Sequence, residues 1–263
     1  GEVALLTIPC GRKGHYLNTR MSYLKFRLNN TSAAADTIAC DYSASSLISR
    51  LDIFHGSNLL ESISEYNTLF NLWPDMTGSA EAHQHTGNIL EGIDPSAERT
   101  GESIAGQASR VFCVPILSGI IGTLQSKYLP VGDMNAGDLR IELTFANVAD
   151  GVVKTGASAG ARSWSVSDVE LMCEFVELNS EAAKMISAQN AGGYVISFDS
   201  FQTYSSTVEQ GATNMNVLIP ARVSSLKTLF TVVRAQDTIG NVSSKTISSR
   251  TNPFQNSGEY YYS

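Results

Sequence analysis

The chain has 263 residues and a net charge of -7, with 16% charged and 43% hydrophobic residues, where roughly 25% charged is usual for a soluble domain. That length holds one large β domain or two small ones, and the acidic balance argues against a general nucleic-acid binder. Low charge with much Ser, Thr, Asn, Ala and Gly suits broad surfaces buried against neighbours.

The charge is uneven. Residues 1–50 carry six Lys/Arg against three Asp/Glu, residues 51–150 four against thirteen, and residues 151–263 eight against nine. The basic stretch includes Arg12, Lys13, Arg20, Lys25 and Arg27. It either faces something anionic, such as packaged genome or lipid head groups, or is a set of solvated strand charges.

In chain order, Val3–Ile8 reads as a first strand ended by Pro9. Met21–Leu28 alternates, with Tyr23, Lys25 and Arg27 on one face and Leu24, Phe26 and Leu28 on the other, which is a half-buried strand. Residues 29–46 are polar and small, a loop or edge excursion. Residues 47–63 form a hairpin about the turn His55-Gly56-Ser57-Asn58. From Glu61 a helix is expected, with Ile63, Tyr66, Leu69, Phe70 and Trp73 on one buried face and Pro74 stopping it.

Residues 75–109 show no apolar period and read as a long surface loop. His83 and His85 lie there, but no third ligand accompanies them, so no metal site is expected. Strands follow at Arg110–Leu117, Asp138–Asn147 and Trp164–Leu178. The last places Val169, Leu171, Cys173 and Phe175 on one face. Ser118–Leu124 is a turn or short helix, and Asp150–Ala161 a loop. Ser180 is the expected cap of a short helix carrying Met185 and Ile186, ended by Gly192-Gly193. Strand patterns resume at Tyr194–Gln202, Val208, Asn214–Ile219 and Ser225–Arg234, and Tyr260, Tyr261 and Tyr262 sit near the end.

Chemistry is sparse. Cys10, Cys40, Cys113 and Cys173 form no metal or redox spacing and read as reduced thiols. No nucleophile stands with a base, and Gly119-x-x-Gly122 lacks the Lys-Ser/Thr of a phosphate loop. Asp168, Glu170, Glu174 and Glu177 read as one strand's solvent face rather than a hydrolase pair. Asn30-Thr31-Ser32 and Asn241-Val242-Ser243 fit the glycosylation sequon, without a secretory signal to support its use. No apolar run is long enough to span a membrane. No catalytic, cofactor-binding or metal residue is therefore assigned, and no cofactor.

Four stretches carry a resemblance: Gly14–Leu28 (GHYLNTRMSYLKFRL), Leu47–Trp73, the linker Glu177–Gly193, and Tyr194–Arg234. Their order resembles that of double jelly-roll major capsid proteins of the adenovirus–tectivirus lineage, including polinton-like viruses, virophages and tailless phages. The resemblance implies an all-β jelly-roll sandwich with short helices. Residues 1–178 would be a first jelly roll, 179–193 a helical linker, and 194–263 the start of a second, incomplete one, since a jelly roll needs eight strands. It further implies a non-enzymatic coat subunit located in the virion, associating as homotrimers and with neighbouring capsomers. Minor capsid proteins, an inner membrane or the genome would be contacted through the N-terminal segment, and no small-molecule substrate is expected. Two other readings stay open: a carbohydrate-binding or adhesion sandwich, and a hydrolase on a β scaffold.

Overall fold

The computed structural model describes residues 2–77, 83–94, 101–147, 151–155, 163–191, 193–207, 214 and 216–231. Within them lie nine strands: β1 (Val3–Ile8), β2 (His15–Asn30), β3 (Thr37–Cys40), β4 (Ile48–His55), β5 (Asn58–Ser64), β6 (Ser109–Pro115), β7 (Leu139–Phe145), β8 (Val152–Thr155) and β9 (Trp164–Glu177). Two α-helices accompany them, α1 (Tyr66–Thr77) and α2 (Ser180–Gln189), with a π-helical segment at His83–Glu91. No helix among the described residues is long and apolar enough to cross a membrane.

The strands form sheets ordered β1-β7-β4-β5, β6-β2-β9 and β3-β8, and every ladder is antiparallel. The pairings β2 with β9, β3 with β8 and β4 with β7 are nested one inside the next. A long antiparallel ribbon rolled on itself gives this nesting, which is the connectivity of a jelly roll. The innermost pair is opened out: β5 stays beside β4, and β6 lies beside β2.

Alternation explains the strands. Leu24, Phe26 and Leu28 of β2 are at most 1% exposed, while Tyr23, Lys25 and Arg27 between them are half-buried. Ile141, Leu143 and Phe145 of β7 face the same core. Phe26 meets Phe112 and Phe145 at ring-centroid distances of 6.1 and 6.2 Å. Each such buried ring contributes about 2–3 kcal/mol of transfer free energy. The hairpin between β4 and β5 turns at Gly56, which has φ +58 and lies so near Ala136 that a Cβ would sit 2.3 Å from its carbonyl oxygen. Both constraints require glycine there.

Several expectations need correction. β2 runs from His15 rather than Met21, and β3 and β8 lie in stretches read as loops. Helix α1 begins at Tyr66, because β5 extends to Ser64, and it continues through Pro74 to Thr77. A proline removes one intrahelical donor, and here that loss does not end the helix. The stretch read as a long loop is bridged to itself at Ile93 and Gly101 and tied to β3 by the bridge of Ile104 to Ile38 and by the Gly101 N–H, which donates to the Cys40 carbonyl, with both isoleucines buried. The cap of α2 is Asn179 rather than Ser180, its side chain accepting from the Ala182 N–H. Beyond α2, the described residues between 194 and 231 pair in no ladder, so none of the expected strands forms among them; residues 208, 215 and 232–234 of those strands lie outside the described residues.

Of the residues expected on one helical face, Ile63 lies on β5 instead, where it is fully buried; on α1, Tyr66 is fully buried and Phe70 is 4% exposed, while Leu69 and Trp73 pack on the core from partly buried positions.

Candidate functional site

Three local arrangements bring chemistry-bearing residues together. The first lies on the outer face of the β6-β2-β9 sheet. The register sets Lys25 opposite Glu170 and brings Arg27 to the bulge at Asp168. Lys25 Nζ lies 2.7 Å from Glu170 Oε2, Arg27 Nε 3.0 Å from Asp168 Oδ2, and Arg12 Nη2 3.3 Å from Glu177 Oε1. Asn18 donates to Glu174. Asp168 has φ +52, the left-handed backbone of a bulge, which re-aims its carboxylate. The basic cluster near the N-terminus and the acidic cluster of β9 are thus the two halves of one cross-strand ladder. Both partners are solvated, so each pair adds little to stability. Its role is strand registration, and it spends on β9 three of the cations considered for a genome or lipid face.

The second arrangement is buried. Glu61 of β5 is 3% exposed and accepts hydrogen bonds from the Ser118 hydroxyl and, at 3.2 Å, from the Gly119 N–H. Ser118 Oγ in turn accepts from the N–H groups of Ile120 and Ile121. One residue before the turn, the Leu117 N–H donates to the Tyr66 hydroxyl at 2.8 Å. The acid and the tyrosine together fix the chain after β6 against β5 and α1. Burial raises the pKa of Glu61, and burial also pushes Glu91, on the π-helical segment, up to about 7. Neither acid was singled out from sequence. Glu61 lies in an apolar run, LLESI, and that buried-run position was the available signal.

The third arrangement is apolar. On β1, Val3 and Leu5 are 56% and 63% exposed at the edge of the four-stranded sheet, while Ala4 and Leu6 pack inward. β1 contains no charge or proline to guard that edge. β9, the edge of the other sheet, exposes Met172 and Phe175.

The remaining sequence candidates disperse. His85 is exposed, and no group of three metal-ligating side chains occurs among the described residues. All four cysteines are free thiols, and burial pushes Cys40 up to about 12. Asn30 is 2% exposed, and its amide donates to the carbonyls of Asp36 and Ile104. A glycan cannot sit on that nitrogen in the folded chain. Asn241, Val208 and Tyr260–Tyr262 lie outside the described residues.

No protein-family model matches the chain, and no curated protein matches it significantly. Two of the solved structures to which it is similar illustrate the match. One is PBCV-1 VP54, a crystal structure fitted into a cryo-EM reconstruction of the virophage Sputnik, at 13% identity and a TM-score of 0.41, covering 71% of this chain and 45% of that one. The other is a quasi-atomic model of the PBCV-1 virus capsid, at 13% identity and a TM-score of 0.38 with the same coverage. The chain spans less than half the length of either.

Proposed function

We propose that this chain is a structural, non-catalytic subunit of an icosahedral viral capsid, a major capsid protein whose trimers form pseudo-hexagonal capsomers. The observation that carries the reading is the nested set of ladders β2/β9, β3/β8 and β4/β7, in the element order of the family the sequence resembles. The fold alone hosts many functions. The apolar edges add direction, because Val3, Leu5, Met172 and Phe175 are side chains that a self-associating subunit would cover. Residues 1–178 would form the first jelly roll and 179–193 the linker, with 194–263 opening a second. Its partners are copies of itself, first in the trimer and then between capsomers, and its place is the virion shell.

Light scattering on the purified chain, followed by negative-stain microscopy, tests this. A trimer with a pseudo-hexagonal outline is expected, and Leu5→Lys combined with Met172→Lys should dissociate it without unfolding the barrel. A chain that stays monomeric at every concentration would refute the proposal.

A further inference from the structure

β1 leaves one line of backbone groups without a strand beside it. The Phe145 N–H donates to the Glu2 carbonyl at 2.9 Å, and the β1/β7 register continues from that pair. Antiparallel ladders alternate between bonded and unbonded pairs, so Ala4, Leu6 and Ile8 bond to β7. Val3, Leu5 and Thr7 therefore turn their N–H and C=O groups away from the sheet. No described residue ladders with that edge. The side chains of the same three residues are exposed, while Ala4 and Leu6 pack inward. β9 comes near β1 without pairing, so the two sheets meet on this side at unpaired edges.

The strand's own sequence selects its partner. VALLTI carries no charge, so two copies of it bring no like charges together. β9 instead carries Asp168, Glu170, Glu174 and Glu177, and set against β1 it would bring carboxylates beside Val3 and Leu5. The outward groups of β1 are also self-complementary. Laid antiparallel on a second copy, Leu5 faces its own counterpart, Val3 faces Thr7, and Ala4 faces Leu6 on the inner side. In that register each outward N–H meets a carbonyl. Glu2, just before the strand, falls opposite Ile8 rather than another carboxylate.

We propose that β1 is a docking edge for β1 of a second copy, paired antiparallel about a two-fold axis at Leu5, which joins two four-stranded sheets into one. Such a contact is isologous. It therefore joins a subunit of one trimer to a subunit of the next and leaves Met172 and Phe175 of β9 for contacts inside the trimer. That placement rests on the capsid reading above, whereas the pairing itself does not. An edge of six residues is smaller than a standard interface of about 1,200–2,000 Å². The contact is thus weak between free chains and gains strength by repetition in an assembly.

Disulfide trapping in the full chain reads the register. Bonded pairs of an antiparallel ladder have Cα atoms about 5.5 Å apart, within reach of a disulfide. At about 1 mM chain, where weak contacts populate, oxidation of Leu5→Cys by copper phenanthroline should give a covalent dimer. Its peptide map should hold position 5 linked to position 5. Val3→Cys alone should not link to itself, because its two copies lie about 14 Å apart along the strands. Mixed with Thr7→Cys, it should link position 3 to position 7. Leu5→Pro removes only the outward donor, where an edge strand accepts proline. Added to both members of that mixed pair, it should cut the yield about tenfold or more while β2 amides stay protected. No link at position 5, equal self-linking at all three positions, or position 5 linked to another stretch such as residues 216–219 would overturn the pairing. So would a Leu5→Pro pair that links as well as its parent. Should Leu5→Pro fail to fold, the pattern of linked positions decides alone. Trimers without the link would overturn this pairing and leave the capsid reading standing, and the link without trimers would do the reverse.

Discussion

Tyr66 joins ring packing and a hydrogen bond at one buried position, and two substitutions separate them. Its ring packs against Phe70 at a centroid distance of 5.9 Å, and its hydroxyl accepts from the Leu117 N–H. Tyr66→Phe keeps the ring and strands that donor beside a leucine that is 2% exposed. A buried donor left without its acceptor costs about 1–3 kcal/mol. Tyr66→Ala adds a cavity, and aromatic truncations in cores cost about 3–5 kcal/mol. Losing the donor's acceptor as well places the total at about 4–8 kcal/mol. Urea unfolding of the whole chain, followed by circular dichroism, measures both. With m near 2 kcal/mol/M, Tyr66→Phe should lower the midpoint by about 0.5–1.5 M with m unchanged. Equal midpoints for wild type and Tyr66→Phe would mean that the hydroxyl does not hold the 117–119 turn. If Tyr66→Ala were no worse than Tyr66→Phe, the α1 face would not belong to the core.

Two further outcomes follow from the charged groups. A double-mutant cycle on Lys25→Ala and Glu170→Ala should give a small favourable coupling that shrinks as salt is raised from about 0.01 to 1 M, and a salt-independent coupling would mean the pair is not solvated. Glu91 has a folded pKa of about 7 against an ordinary 4.5, so the folded state holds the extra proton between those values. Stability should therefore fall as pH rises from 4.5 to 7. Glu91→Gln should remove that slope and gain up to about 3 kcal/mol at pH 8. Parallel denaturation profiles for variant and wild type from pH 4 to 8 would count against the burial of this acid.

The long strands were legible because one face of each is buried. Leu24, Phe26 and Leu28, or Leu139, Ile141 and Leu143, can alternate only if a sheet turns them inward. β3 and β8 were not legible. Each is four residues long and finds its one strand partner in the other, apart from the single bridge of Ile38 to Ile104, so neither needs a sustained alternation. The stretch before β6 misled for a related reason. Its attachment to β3 runs through the isolated bridge at Ile104 and the Gly101 N–H on the Cys40 carbonyl, which leave no period in the sequence. In the sequence the charge ladder looks like two unrelated clusters, an acidic solvent face and a basic stretch open to an anionic partner or to solvent, because Lys25 and Glu170 lie 145 residues apart. Register joins them, and register is set by the rolled topology rather than by local spacing.

The segment after α2 shows where alternation and strand formation part company. Tyr194 bonds to Asp133 and Ile196 packs on the core, while Val195 between them is 90% exposed. The period of two read from the sequence is therefore present, yet it is met by packing on the barrel and by side-chain bonds rather than by a ladder. A strand is a property of two chains side by side, and alternation states only that one face is covered. Ile196 and Phe201 supply that cover here. A sheet that recruited this segment would have to keep the contacts of Phe201 with Trp73 and of Ser200 with Glu61 or break them. Among the described residues, the link between the barrel and this segment thus runs through Phe201 and Phe230 on Trp73, Tyr194 on Asp133, Thr203 on Ser64 and Ser200 on the buried Glu61.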